Sequence, residues 1–213
     1  MVEPKWSGGT SRTNSIRNMN VVQNYYKNAL LDDLCSEYKG LWQRANGNKL
    51  ELLKLSLCQQ SIPHVVTFAY QGKGITKDYA LREFKDYING YTVENADGVN
   101  GYTYGLYVDF DCREELVAKQ DVVSVMWTKG ATVIIPQTKA TILYVSNKSD
   151  VSLVCNGYNS VKIYLFDKSK VTLEDVDEDS HVIIYNYSDS AKVKKGKYCL
   201  SRKIKEFHKQ LKL

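Results

Sequence analysis

The stretch "KSKVTLEDVDEDSHVIIYNYSDSAKV", residues 168–193, repeats its pattern every ten residues. Two positions align on this period, one mostly small or β-branched and one apolar. The first position holds Val171, His181 and Ala191. The second position holds Leu173, Ile183 and Val193. Short turns rich in Ser, Asp and Lys lie between them. A constant repeat of strand and turn is typical of a solenoid protein.

The register extends over residues 121–196. The third position of each ten-residue row is apolar in every row. It holds Val123, Val133, Leu143, Leu153, Ile163, Leu173, Ile183 and Val193. Strands stacked about 4.8 Å apart can bury such a position as a continuous ladder, which one short strand cannot do alone. Two rows then form one coil of a flattened β-solenoid. We predict about four coils, with residues 133, 143, 153 and 163 in one internal column.

An antiparallel β-sandwich or meander would also alternate apolar and polar residues. Its turns usually vary in length, whereas the turns here do not, and this favours the solenoid. The open strand edge at the end of a solenoid invites aggregation unless it is covered. The basic segment 197–213 carries Ile204, Phe207 and Leu211 at helical spacing, which predicts a C-terminal capping helix.

The segment that precedes the repeat, residues 19–120, has the pattern of a helical head module. Apolar residues fall at helical spacing over residues 20–45, and a second short helix is predicted over residues 49–60. Thr76 is a suitable N-cap for a third helix over residues 77–89. The fold class predicted for the whole chain is therefore α+β.

Two further segments complete the predicted organisation. Residues 91–110, "YTVENADGVNGYTYGLYVDF", contain two alternating Tyr-rich runs around a loop with Asp-Gly and Asn-Gly, which predicts a β-hairpin. Residues 1–18 have little apolar content and are predicted to form an extended arm. The arm carries Trp6, a side chain suited to anchoring in a pocket of a partner.

Composition excludes several classes of protein. Of 213 residues, 43% are hydrophobic and 25% charged, as in ordinary folded chains. No apolar run reaches the roughly 20 residues that span a bilayer, and the N-terminus lacks a secretory pattern, so we expect synthesis in the cytoplasm without membrane insertion. The five cysteines are widely spaced, without a C-x-x-C pair. This argues against a zinc site or a disulfide framework and favours reduced thiols.

Motifs for catalysis are missing from the sequence. The three histidines form no H-E-x-x-H or H-x-E motif, and no G-x-S-x-G is present. His181 falls at an inward position of the repeat and is predicted to be a hydrogen-bonded core residue. Residues 70–76 resemble a phosphate loop but lack its spacing, so a turn into the next helix is favoured. We expect no catalytic, cofactor-binding or metal-binding residues, and no enzymatic activity.

Acidic and basic clusters leave two alternatives open. Asp109 with Asp111, and Asp175 with Asp177 and Asp179, could bind Ca²⁺, but the EF-hand pattern is absent and solvated turns are favoured. A carbohydrate-binding or carbohydrate-processing protein could use acids such as Glu174 and Asp175. A nucleic-acid-binding accessory protein could use the basic tail. That tail contains Lys192, Lys194, Lys195, Lys197, Arg202 and Lys203.

The overall plan resembles small structural proteins of Bacteroidetes and crAss-like phages, in which a helical head precedes a degenerate β-solenoid. The matching stretches are the run from Leu34 to Trp42, the helix "ALREFKDYING" and rows of the D-x-S-x-V type, residues 168–173 and 189–193. This resemblance carries no catalytic residues. It implies an auxiliary capsid or tail component of a phage, synthesised in the host bacterium and localised in the virion.

The partners expected from this resemblance are other virion proteins in an oligomeric assembly. Nucleic acid is a possible but less favoured partner. The predicted contact residues are large aromatic side chains of the arm and the hairpin, because Tyr and Trp concentrate binding energy at interfaces. They are Trp6, Tyr91, Tyr102, Tyr104 and Tyr107.

Overall fold

The computed structural model describes residues 36–45, 48–57, 76–94, 101–111, 113–188, 192–194 and 199–203. Within them lie three α-helices and one 3-10 helix. These are α1 (Ser36–Ala45), α2 (Lys49–Leu57), α3 (Lys77–Glu83) and the 3-10 helix Lys85–Tyr87. No helix in this part of the chain is long and apolar enough to cross a membrane. The predicted arm, residues 1–18, lies outside the described residues.

The same part of the chain is dominated by twelve β-strands. They are β1 (Val93–Glu94), β2 (Thr103–Val108), β3 (Glu115–Val117), β4 (Val122–Met126), β5 (Lys129–Ile135), β6 (Ala140–Ser146), β7 (Asp150–Cys155), β8 (Ser160–Leu165), β9 (Lys170–Val176), β10 (His181–Asn186), β11 (Lys192–Lys194) and β12 (Cys199–Lys203). From β2 onward, consecutive strands alternate between two sheets. Sheet A has the order β1-β2-β4-β6-β8-β10-β12, and sheet B has the order β11-β9-β7-β5-β3.

Strand pairing confirms the β-solenoid. Every pair within the two sheets is parallel, except the short antiparallel pair β1–β2. An antiparallel sandwich would have neighbouring strands running in opposite directions. One strand of sheet A and one of sheet B make a turn, and the strands β4 to β11 make about four turns. The stack also extends beyond the predicted limits of 121 and 196, because β2 pairs with β4 and β12 pairs with β10.

The single internal column predicted for residues 133, 143, 153 and 163 is instead two facing ladders. Leu143 pairs with Ile163 in sheet A, whereas Val133 pairs with Leu153 in sheet B. Successive rows belong to opposite sheets, so a strand's hydrogen-bonded neighbour is two rows away. All four side chains are fully buried in one apolar core between the sheets.

A β-bulge in β9 changes the register of the last turn. Leu153 pairs with Leu173, but the next residue, Val154, pairs with Asp175. The extra residue leaves two acidic side chains in solvent and returns Val176 to the core. Because side chains alternate with a period of two, one added residue reverses which positions face inward.

The prediction that His181 lies in the core is therefore wrong. His181 is exposed, and the inward positions of its strand belong to Val182 and Ile184. Ile184 pairs with Ile163 and continues the ladder of sheet A, a place that the ten-residue register assigned to Ile183.

The corners of the solenoid explain the Asp and Ser residues of the repeat. A residue with positive φ follows each of four sheet A strands, a conformation that Asn and Asp adopt more readily than most residues. These residues are Asp109, Trp127, Asn147 and Asp167. Two residues after Asn147 and Asp167, the hydroxyls of Ser149 and Ser169 link successive turns. The backbone N–H of Thr128 donates to Ser149 Oγ at 3.2 Å, and that of Ser149 donates to Ser169 Oγ at 3.1 Å.

The helical head covers the outer face of sheet A. Leu53 and Leu57 of α2, together with Tyr79 of α3, form a second apolar core with sheet residues such as Val122 and Met126. Both faces of this end of sheet A are consequently buried.

The third helix begins at its predicted cap but ends earlier than predicted. Thr76 Oγ accepts a hydrogen bond from the backbone N–H of Tyr79 at 3.3 Å. The helix ends at Glu83 rather than near residue 89. The side-chain amide of Asn89 instead pairs with the backbone of Val108, donating to its C=O at 3.1 Å and accepting from its N–H at 2.8 Å. These bonds satisfy the backbone of β2 and tie the end of the head to the sheet.

The predicted C-terminal helix over residues 197–213 is wrong for the residues that the structure describes. Residues 199–203 form β12, in which Cys199 pairs with Val182 of β10. The strand β12 continues the solenoid, and its side chains alternate between the two faces. Cys199 packs against the solenoid core, while Leu200 is exposed. Residues 204–213 lie outside the described residues.

Candidate partner-binding surfaces

The predicted Tyr-rich hairpin is present but is built into the solenoid. Val93 pairs with Tyr104 and Glu94 with Thr103, so β1 covers only the start of β2. Along its other edge, β2 pairs in parallel with β4 from Tyr104 to Val108, as the first strand of sheet A in the stack. The hairpin therefore lies at the first end of the solenoid.

Two of the predicted contact residues lie inside the protein. Tyr104 is 1% exposed and packs beneath the head, while Tyr107 is 4% exposed and packs in the solenoid core. Alternate side chains of β2 enter the two cores, so both of its faces are buried. The Tyr107 hydroxyl donates to Gln120 Oε1 at 3.3 Å. Burial raises the pKa of Tyr107, although the Gln120 bond opposes this. We conclude that neither ring offers surface to a partner.

The other two tyrosines are accessible. Tyr91 is 39% and Tyr102 40% exposed. Tyr91 lies two residues before β1, and Tyr102 immediately precedes β2. The Tyr91 ring packs edge-on against Tyr87, with 5.2 Å between the ring centroids. Trp6, the remaining predicted contact residue, lies outside the described residues.

A charged cluster fixes the backbone beside Tyr102. The Asp121 carboxylate accepts hydrogen bonds from the Thr103 N–H at 2.9 Å and hydroxyl at 2.7 Å, and from Lys139 Nζ at 2.8 Å. Burial alone would raise the pKa of Asp121, but the bonds from Lys139 and Thr103 hold it below its ordinary value. Tyr102 thus projects from an anchored strand start.

The acidic residues considered for Ca²⁺ or carbohydrate chemistry do not converge. Asp109 forms an ion pair with Lys77 at 2.6 Å, and Asp111 pairs with Arg113. Glu174 accepts a hydrogen bond from Ser152 Oγ at 2.6 Å. Among the described residues, no group of three His, Cys, Asp or Glu side chains could hold a metal ion.

The remaining candidates are only partly described. Residues 70–75 of the phosphate-like loop lie outside the described residues, as do Lys195 and Lys197 of the basic tail. Lys192, Arg202 and Lys203 are exposed on the last strands. The described cysteines, Cys155 and Cys199, carry reduced thiols.

A basic surface that the sequence interpretation missed lies where the chain passes from sheet A to sheet B. Lysines and one aspartate line a cleft of about 420 Å³ there, and we call this surface the lysine edge. It consists of Lys129, Lys148, Lys168, Lys170, Lys192 and Asp150. Equivalent positions along this edge are about 20 residues apart in sequence, because one turn of the solenoid contains two rows. A ten-residue alignment places a row of the opposite sheet between them. Aligning the rows in pairs would have revealed them.

Comparison of the chain with protein-family models, with curated proteins and with solved structures finds no match.

Proposed function

We propose that this chain is a non-catalytic structural protein that binds other protein subunits, as an auxiliary component of a bacteriophage capsid or tail. The observation that carries the proposal is the presentation of Tyr91 and Tyr102 at the first end of the solenoid. The phage assignment rests on the resemblance of the head and the D-x-S-x-V rows to phage structural proteins. On this proposal the protein resides in the virion.

Rigidity makes these two tyrosines suitable contact residues. Tyr102 directly precedes Thr103, which is bonded to Asp121, and Tyr91 packs against Tyr87. A side chain already held in place loses less conformational entropy on binding, so more of its buried area contributes to affinity. Tyr is also among the residues enriched at interface hot spots.

The proposal can be tested by following the tagged chain through purification of phage particles. We expect it to sediment with intact particles and to dissociate when Tyr91 and Tyr102 are both replaced by Ala. Removal of two interface tyrosines should weaken binding by about 2–4 kcal/mol, or roughly 30- to 900-fold. Deletion of residues 1–18 should weaken the association further, since it removes Trp6.

Tyr158 provides the control. It is the most exposed described tyrosine, at 64%, and lies in a corner away from the hairpin. Tyr158→Ala should leave the association unchanged. Free monomer in the lysate, insensitive to loss of the arm, would contradict the proposal. Turnover of a polysaccharide that is abolished by Glu174→Gln with Asp175→Asn would favour the carbohydrate alternative instead.

A further inference from the structure

The lysine edge is a row of charged side chains, all but one of them positive, on a rigid support. Lys129, Asp150, Lys170 and Lys192 pair successively at the start of the sheet B strands. Neighbouring strands are about 4.8 Å apart, so this row is about 14 Å long. Lys148 and Lys168 lie in the adjoining corners and widen the row.

Most of this charge is not neutralised within the described part of the protein. Lys170 Nζ lies 3.2 Å from Asp150. The other four lysines are exposed and form no ion pair with any described residue. Like charges at this spacing repel one another, which opposes folding. The Ser149 and Ser169 hydroxyl bonds fix the corners beneath them, so the solenoid keeps the charges together despite the repulsion.

The chemistry of the edge indicates which anion it fits. Its cationic groups are all lysine ammoniums, which act as point charges, whereas arginine would add the bidentate geometry used to read bases. Among the residues that the structure describes, no aromatic side chain lines the cleft. Single-stranded nucleic acid is usually bound by aromatic side chains that stack on the bases. Duplex DNA needs no such platform, and with one negative charge per roughly 1.7 Å it presents about eight charges along a 14 Å row.

We propose that the lysine edge binds the phosphate backbone of duplex DNA without regard to base sequence. This site is distinct from the basic tail, with which it shares only Lys192. It is also independent of the protein contacts proposed for Tyr91 and Tyr102, which lie at the hairpin end of the stack.

The experiment measures binding of the full chain to a fluorescently labelled duplex of arbitrary sequence as a function of salt. With four unpaired lysines, the plot of log affinity against log salt should have a slope of about −3.6, since each neutralised phosphate contributes about 0.9. The triple variant Lys129→Gln, Lys148→Gln, Lys168→Gln should make this slope shallower by about 2.7 and weaken binding by at least about tenfold.

A matched variant separates the edge from net charge. Lys85→Gln, Lys119→Gln, Lys162→Gln removes the same charge from exposed positions elsewhere and should keep the original slope. Replacing the three edge lysines by Arg should keep binding, which guards against a folding defect in the Gln variant. An equal loss in both Gln variants would overturn the proposal, as would no duplex binding at about 50 mM salt. Tighter binding of single-stranded DNA, or of an anionic polysaccharide such as heparin, would assign the edge to a different polyanion.

Discussion

The carboxylate of Asp167 accepts hydrogen bonds from the backbone N–H of Lys148, one turn earlier in the solenoid, at 3.1 and 3.3 Å. It also accepts from the N–H and the hydroxyl of Ser169 at 2.8 and 2.7 Å. One side chain therefore closes its own corner and joins it to the preceding turn. Asp167 is only 5% exposed, so its loss would leave buried donors without this acceptor.

We expect Asp167→Ala to lower the free energy of unfolding by about 2–4 kcal/mol, from unsatisfied donors and from the positive φ of 48° at this residue. Asp167→Asn should cost less than half as much, because Asn tolerates this conformation and keeps one acceptor oxygen. Urea titration provides the measurement. Asp86→Ala, at an exposed position, serves as the control. Equal losses for the Ala and Asn variants would contradict the expectation that one acceptor oxygen and tolerance of positive φ preserve most of this stability.

The same residue predicts a dependence of stability on pH. Burial raises the pKa of Asp167, and the hydrogen bonds from Ser169 and Lys148 only partly oppose it. Between the unfolded value of about 3.9 and the higher folded value, the folded state binds more protons. The stability that this group contributes is present in full below the unfolded pKa and is lost as pH rises through the folded pKa.

Asp167→Asn removes that ionisation and isolates its effect from those of other carboxylates. We compare the two proteins by the unfolding free energy of the unmodified chain minus that of the Asn variant. This difference should be larger at about pH 4 than at about pH 7. Urea titrations of both proteins at several pH values supply this difference. A difference that stays constant or decreases over this range would contradict the raised pKa.

The internal ladder predicts a sharp contrast between neighbouring residues of β8. Ile163 is fully buried, and Lys162 beside it is exposed. Ile163→Asp should destabilise the solenoid by several kcal/mol because it places a charge in the core without a partner, and Leu153→Asp should behave alike. Lys162→Asp should change stability by about 0.5 kcal/mol or less. Circular dichroism during thermal unfolding distinguishes the two, and similar melting curves would disprove the inward assignment.

Gly105 predicts a steric effect in the first strand of the stack. A Cβ at this position would lie 2.9 Å from the Cδ and Oε1 atoms of Gln120. Gln120 is buried and donates through Nε2 to Thr92 Oγ at 2.9 Å, so it cannot move without losing this bond. Gly105→Ala should therefore destabilise the protein by about 1–3 kcal/mol.

Gly40 of α1 is the matched control for this substitution. A Cβ there would meet nothing within 4 Å. Gly40→Ala should stabilise the protein by up to about 1 kcal/mol, because Ala favours the helix interior more than Gly does. Chemical denaturation measures both variants. A Gly105→Ala protein as stable as the unmodified chain would mean that Gln120 has room to rearrange.

The centre of the solenoid was predictable because burial there depends on alternation alone. Val133, Leu143, Leu153 and Ile163 are apolar and fall at a fixed interval, and the structure places all four inside. The end of the repeat was not predictable in this way. The bulge near Asp175 inserts one residue into β9. In the sequence, this shift of register appears only as a loss of the ten-residue pattern.

The contact surfaces were less predictable than the fold. Tyr104 and Tyr107 have the same residue type as Tyr91 and Tyr102 and lie close to them in sequence. Their burial follows from the position of β2 between the solenoid core and the head, which is a property of the tertiary structure. The lysine edge depends in the same way on which rows become neighbours. Sequence patterns identify a strand's inward face more readily than what covers its outer face.

The pairing of Thr141 with Val161 has a consequence for how the protein can change in length. Residues 141–160 make up one complete turn, from Thr141 to the residue before its equivalent, Val161. Their excision would bring Ala140 next to Val161 with the strand direction preserved. A tandem duplication of the same twenty codons would add a turn in the same manner. The separation between the head and the last strand is thus adjustable in increments of about 4.8 Å, while the surfaces at both ends stay unaltered.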